Sequence, residues 1–189
     1  PQPVTMAALK RLADTDYPLW FQNSVTVTIL VTIGRVFFCS LAGYALARLK
    51  FRGRDGVFTA LLAVMAVPGI VLLIPKFLVL NYIGLYDTYP ALFVPLLVDA
   101  AGVFIMKQFF ETISPSMEEA ARIDGAGTFR TFWSIVLPMA RPALITLTIL
   151  SFQGSWNELG HFVIAVSDPN LYTLTRGVGQ LTSGGLGSG

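Results

Sequence analysis

Residues 118–138 read EEAARIDGAGTFRTFWSIVLP, a mixed-charge run set between long hydrophobic segments. Helix-forming residues fill it up to Gly125 and Gly127, so it predicts two short helices joined by a glycine reversal. Ser116 followed by Glu119 fits a capping box, and Pro115 after Ser114 offers a second start with proline in the first turn. Thr128 is the expected cap of the second helix, FRTFWSIVL, which leads to Pro138. The first helix has only about two turns, and isolated helices need roughly 12–15 residues to be even marginal. Something must therefore pack against it. Ala120 and Ala121 make a small-residue face bordered by Met117 and Asp124. Two readings are open: an amphipathic helix lying on the headgroups, or a surface that another protein approaches closely.

The flanks fix the setting. Hydrophobic residues are 54% of the 189 and charged residues 13%, where soluble domains carry about 25% charged. With a mean hydropathy of +0.66 the chain reads as a membrane protein. Apolar stretches at 24–49, 57–80, 90–110 and 136–152, the last continuing irregularly to Val166, approach or exceed the roughly 20 residues a span needs. The fold class is therefore all-α, a polytopic transmembrane helical bundle. Arg48, Lys50, Arg52 and Arg54 crowd the connection ARLKFRGRD, which the positive-inside rule places in the cytoplasm. NYIGLYDTYP, one span later, has no Lys or Arg and suits an outer interface. Lys107, Arg122, Arg130 and Arg141 return the next connection to the cytoplasm, so charge and span count agree. The segment after Val166, with Arg176 and the closing SGGLGSG, is expected to be an external loop. The opening PQPVTM is no basic and apolar leader, and the chain is expected to be a piece of a longer one.

Polar residues inside the apolar stretches mark the next expectations. Asn23 and Ser24 are expected to cap the first span, in which Ser, Gly and Ala recur at intervals that permit close helix contact. Pro68, Gly69 and Pro75 should kink the second and keep it from facing lipid on all sides. Arg35 and Asp99 would each cost about 2.5–3.5 kcal/mol at the bilayer centre, so both should face protein or water. Structural anchoring is the expected role, and a direct pair between them is an open option. Lys76 either snorkels outward or lines a cavity. The single cysteine, Cys39, and the single histidine, His161, leave no disulfide framework and no multi-histidine or thiolate metal site within the chain. A net charge of +2, without basic clusters interleaved with aromatics, excludes a nucleic-acid surface. Finally, FQGSWNELGHF interrupts the last apolar stretch. Gln153, Trp156, Asn157 and Glu158 are the substrate-path candidates, since broken membrane helices place polar groups beside a substrate and Trp stacks on a pyranose face. The alternative is that they mark the outer membrane interface.

The segment EAARIDGAGTFRTFWSIVLP closely resembles the EAA loop of importer permeases of the ATP-binding-cassette (ABC) superfamily, whose pattern is EAA, a Gly a few residues on, then I-x-LP. Glu119, Ala120, Ala121, Asp124, Gly125, Ala126, Phe132, Ile135, Leu137 and Pro138 carry the match. NSVTVT, AGYALARLKFRGRD and FQGSWNE look like binding-protein-dependent carbohydrate permeases, the maltose-transporter-like group, and the resemblance covers nearly the whole chain. It implies a bundle of the ABC type I importer permease kind lacking that family's first and last spans. Residues 1–189 would form one permease domain, with 114–138 its cytoplasmic EAA coupling loop. In the family this loop sits in a cleft of the ATPase subunit, so Glu119, Ala120, Ala121, Asp124 and Gly125 would carry docking and Pro138 would end the second helix.

What the resemblance implies for function is an inner-membrane permease subunit moving a sugar or related polyol. The partners would be two ATP-binding cassette subunits, a second related permease and an extracytoplasmic solute-binding protein. No G-x-x-x-x-G-K-[ST] phosphate loop occurs here, so ATP and Mg would be used by the partner subunits and no cofactor by this chain. An intramembrane enzyme finds no support: there is no H-E-x-x-H, no nucleophile elbow, and Glu118 and Glu119 are expected on a loop facing water. An ion-gradient-driven secondary transporter is the alternative, with Arg35, Asp99 and Glu158 as coupling groups.

Overall fold

The computed structural model describes residues 16–182, and every regular element among them is helical. PQPVTM and SGGLGSG lie outside that range. Helix α1, Tyr17–Arg48, has 32 residues, about 48 Å at 1.5 Å per residue, and overshoots the roughly 30 Å hydrocarbon core. It starts well before residue 24, with Pro18 in a first turn where the missing N–H is not needed.

Asn23 and Ser24 are thus inside the helix and do not cap it. Both are buried, and both serve the returning chain. The Asn23 amide donates to the carbonyls of Asn170 (2.9 Å) and Tyr172 (3.0 Å), and the Leu174 N–H donates to Ser24 Oγ (2.7 Å). A backbone loop brought back against an apolar helix must find partners there, and that demand overrides the local capping preference. Asn23→Ala is expected to lower stability by about 1–3 kcal/mol because it strips two carbonyls of their donor. A thermal-unfolding midpoint in detergent equal to wild type would contradict this.

The second apolar stretch is broken. Helix α2, Arg54–Met65, and the following Gly69–Tyr82 segment meet at 103°. The break falls at Pro68, whose backbone is extended (φ −57°, ψ 131°) ahead of a 3-10 turn at Gly69–Leu72. Pro75 bends nothing, because it is the third residue of α3, Leu73–Tyr82, in a turn that needs no donor. Helix α2 buries no residue within the chain. The stretch Tyr89–Thr112 comprises α4, Tyr89–Phe93, a 3-10 turn at Val94–Leu96, and α5, Ala100–Thr112. Asp99 caps α5, its carboxylate accepting from the Gly102 N–H at 3.1 Å. Tyr17–Arg48 and Tyr89–Thr112 are long and apolar enough to cross a membrane, and counting each of two bent pairs as one span gives up to four among the described residues.

Helix α6, Pro115–Ile123, is followed by α7, Thr128–Met139, and α8, Arg141–Trp156, the last two meeting at 80°. The fourth apolar stretch therefore begins at Arg141, and residues 136–139 belong to α7. Pro142, four residues after Pro138, has no N–H for the Pro138 carbonyl, so the helix cannot run straight through. Upstream of Pro138 the turn Phe132–Val136 widens to π geometry. Helix α9, Gly160–Ala165, and α10, Leu174–Thr182, complete the described residues. Residues 167–182, expected as part of a loop, are thus partly helical and packed. Arg176 is buried and donates to the carbonyls of Phe162 (2.6 Å) and Val163 (2.5 Å). Nearby, Asp87 Oδ1 accepts from the amides of Asp168 (2.8 Å) and Ser167 (2.6 Å), which hold its carboxyl below the usual range.

Two buried clusters share α1 as their common wall. One gathers Cys39, Tyr44, Met106, Phe110, Phe132 and Leu147. The other gathers Trp20, Val27, Leu80, Leu92, Phe162 and Tyr172. Close approach depends on small residues, as the spacing in the first stretch predicts: a Cβ on Gly43 would lie 2.7 Å from Met106 Cβ and 2.9 Å from the Lys107 nitrogen.

Candidate functional site

Helix α6 begins at Pro115, with Ser114 in the cap position before it, so the second of the two expected starts is the one used. No side chain caps it, and Ser114 Oγ instead lies 2.8 Å from Ser116 Oγ. The helix ends in a Schellman motif: the Ala126 N–H reaches the Ala121 carbonyl (2.9 Å) and the Gly125 N–H reaches Arg122 (3.0 Å). Gly125 takes the required left-handed conformation, φ +80°, with no atom within 4 Å of where a Cβ would stand. Gly127, not Thr128, is the cap residue of α7, and Thr128 is already its first helical residue.

This short unit has two faces. Glu119, Ala120, Arg122, Ile123, Asp124 and Gly125 are exposed, whereas Ala121 is buried against the bundle at 5% exposure. Pro138 is exposed near the end of α7, which runs one residue further to Met139 before the bend. Glu118 does not face water: it is 4% exposed. Its Oε1 sits 2.9 Å from Arg48 Nε in an ion pair, and Tyr44 Oη donates to its Oε2 at 3.1 Å. Arg48 also donates from one terminal nitrogen to the carbonyls of Phe110 (2.7 Å) and Ile113. Sequence reasoning passed over Glu118 and Arg48 because their pairing spans 70 positions. The available signal was the three-residue spacing of Glu118 and Ala121, which puts both on one face of a helix that must pack.

The second candidate region is the break after α8. Asn157 terminates the helix with its amide on the Gln153 carbonyl (2.8 Å), and both side chains are exposed. Trp156 is half-buried, stacked on Phe152 (5.9 Å between centroids, 8° between planes) with Phe21 edge-on at 6.0 Å. Glu158 Oε1 accepts from the His161 N–H (2.9 Å) at the start of α9, and its carbonyl accepts from Thr175 Oγ1 (2.7 Å). These four residues thus lie together at a helix break, each with local partners.

The membrane charges are settled individually. Arg35 Nε donates to the Leu96 carbonyl (3.1 Å), and Asp99 caps α5, so the two anchor separate elements and make no ion pair. Lys76 lines an apolar pocket of about 390 Å³ with Leu72, Val79, Ile83 and Val94. His161 Nε2 is 2.9 Å from the Ala91 carbonyl. No group of three or more His, Cys, Asp or Glu able to hold a metal occurs among the described residues.

Known proteins resemble the chain over most of its length. Residues 39–182 match the family described as binding-protein-dependent transport system inner membrane component. The chain is 32% identical over 169 residues to the sn-glycerol-3-phosphate transport system permease protein UgpE of Yersinia pestis bv. Antiqua (strain Antiqua), covering 89% of this chain and 60% of that protein. It is 32% identical over 165 residues to the arabinooligosaccharides transport system permease protein AraQ of Halalkalibacterium halodurans, covering 87% and 59%. Among solved structures, a bacterial ABC transporter involved in the import of the acidic polysaccharide alginate aligns with a TM-score of 0.81 at 25% identity, covering all of this chain and 67% of the aligned one. The chain thus spans about 60% of the length of the curated relatives it matches. The chain belongs to the family of binding-protein-dependent transport system inner membrane components.

Proposed function

We propose that this chain is the core of a permease subunit of an ATP-driven importer, taking a sugar or related polyol from an extracytoplasmic solute-binding protein. The observation that carries the reading is the α6–Gly125–α7 unit. A nine-residue helix is held from behind by Glu118 and Ala121 while Glu119, Ala120, Asp124 and the Gly125 reversal face outward. A helix that short has no reason to stand proud of a bundle unless a partner covers it. The fitting partners are two ATP-binding cassette subunits, with Glu119, Ala120, Asp124 and Gly125 at the contact; Ala121, expected there with them, faces the bundle instead, and Pro138 lies behind the contact. The loop then lies on the cytoplasmic side, in line with Arg48, Lys50, Arg52 and Arg54 at the inner end of α1.

Transport follows as alternating access. ATP-driven closure of the cassette pair draws the coupling helices together and opens the pathway outward, the binding protein unloads its solute, and hydrolysis resets the inward-facing state. A second related permease completes the pathway, and Gln153, Trp156, Asn157 and Glu158 are this chain's contribution to it. The relatives named above handle hydroxyl-rich molecules, which supports a sugar or polyol.

The test is gentle purification of the full-length protein from its native membrane. ATPase subunits, a second permease and a solute-binding protein are expected to accompany it. Recovery of the chain alone, with uptake that collapses under proton or sodium uncouplers, would overturn the importer reading in favour of a gradient-driven transporter.

A further inference from the structure

We propose that Arg48, Glu118 and Tyr44 form a transmission joint that makes α1 move with the coupling helix, so that they position the pathway rather than bind the ATPase. The inference rests on the importer reading. Glu118 and Arg48 are both withdrawn from water, with side-chain exposures of 5% and 12%. Buried ion pairs are seldom more stabilising than well-packed apolar side chains of the same volume, and their best-attested use is to fix a register. This pair fixes one between helix ends.

Arg48 is the last residue of α1, and Glu118 lies in the first turn of α6. The same guanidinium reaches the carbonyls of Phe110 and Ile113 at the end of α5, the first of which also accepts a long bond from the Ile113 N–H (3.3 Å). One side chain therefore ties together the ends of α1, α5 and α6. Tyr44, one turn before Arg48, adds its hydroxyl to Glu118, and its ring packs on Phe132 of α7 at 4.9 Å and Phe110 of α5 at 5.9 Å.

Alternative routes from α6 to the bundle are few. Covalently it continues α5 through Ile113 and Ser114 and runs on through residues 124–127 into α7, which meets α1 where Phe132 packs on Tyr44. Apart from Glu118, its one buried residue is Ala121. No covalent link of that kind joins α6 to α1, whose end lies 62 to 70 positions upstream of the groups Arg48 holds. Glu118 is the contact that recruits it. Because α1 runs through both core clusters and holds the returning chain through Asn23 and Ser24, a displacement of α6 reaches the far side of the bundle along a single rod.

The experiment compares full-length wild type, Glu118→Gln, the double variant Arg48→Met with Glu118→Gln, Arg48→Lys and Tyr44→Phe, each in the assembled transporter in vesicles. The double variant leaves no lone buried charge, which guards against a folding defect. The readouts are ATPase subunits retained, ATP hydrolysed, and substrate accumulated per ATP. Glu118→Gln and the double variant should keep their ATPase subunits and their hydrolysis while substrate per ATP falls by about tenfold, within the range of ordinary coupling free energies. Arg48→Lys, which keeps the charge, should retain most of the coupling, and Tyr44→Phe should show a smaller fall. A wild-type ratio in the double variant overturns the proposal. If that variant fails to fold, a wild-type ratio in Tyr44→Phe overturns it instead. Loss of the ATPase subunits from Glu118→Gln also overturns it, because the residue would then shape the docking surface itself. Absence of those subunits from the wild type is a different result and removes the importer reading.

Discussion

Replacing Gly125 by tryptophan is expected to reduce transport by at least about tenfold, the scale of losing one interface hot spot, while leaving the membrane helices folded. The separation of the two effects comes from the geometry. Gly125 has φ +80°, and a Cβ there would meet nothing within 4 Å. The first atom of the new side chain therefore meets nothing inside the chain, and the backbone bears the cost of a left-handed L-residue, about 1–2 kcal/mol. Asparagine tolerates that conformation better than most side chains, so Gly125→Asn serves as the control and should transport nearly as wild type. Tryptophan differs from asparagine chiefly in the bulk it presents outward. A transport defect confined to tryptophan, with a thermal-unfolding midpoint lowered by no more than the about 2–8 °C that the left-handed cost implies, locates the lesion outside this chain, on whatever covers the reversal. Wild-type transport by Gly125→Trp would remove the assigned role from the loop.

How far such a site can be read before folding depends on the range of its interactions. The reversal was legible because every contact in it is local: Gly125 and Ala126 close onto Arg122 and Ala121 within five positions. The kink at Pro68 was legible for the same reason, although Pro75 was not separable from it without knowing where α3 begins. Asn23 and Ser24 were misread as caps because the carbonyls and amide they satisfy lie 147 to 150 positions away. Glu118 beside Glu119 looked like one more solvated acid, and its partner Arg48 looked like one more positive charge at the inner membrane face. Composition cannot distinguish a charge held in water from one held by a helix end. The break at Trp156 was visible as a polar interruption, but the packing of α10 on α1 was not: the lone Arg176 and the closing SGGLGSG suggested a loop, while Gly177 is what lets the helix lie against the Trp20 ring.

The same close-packing argument yields the largest expected effect on stability. Gly43→Leu should destabilise the protein by about 3 kcal/mol or more, at or beyond the upper end of overpacking costs. Lipid tails are as apolar as the helix faces they would replace, so association in the membrane depends on how closely backbones approach. At Gly43 the first atom of any side chain would lie 2.7 Å from Met106 Cβ and 2.9 Å from the Lys107 backbone nitrogen, so relief requires α1 and α5 to part. Gly102 is a graded comparison. Its added Cβ would meet Cys39 Sγ and Leu147 Cδ1, both at 3.0 Å, and side-chain atoms can yield where backbone cannot. Gly56, with nothing within 4 Å, should accept alanine freely. In a thermal-unfolding series in detergent the order should be Gly56→Ala near wild type, Gly102→Ala lower, and Gly43→Leu lower by about 6–12 °C, on the scaling for a chain of this size. Transport should fall along the same order, because parting α1 from α5 also draws Arg48 away from the Phe110 carbonyl. Equal midpoints for Gly43→Leu and Gly56→Ala would mean that the α1–α5 seam is not the close contact that holds the bundle.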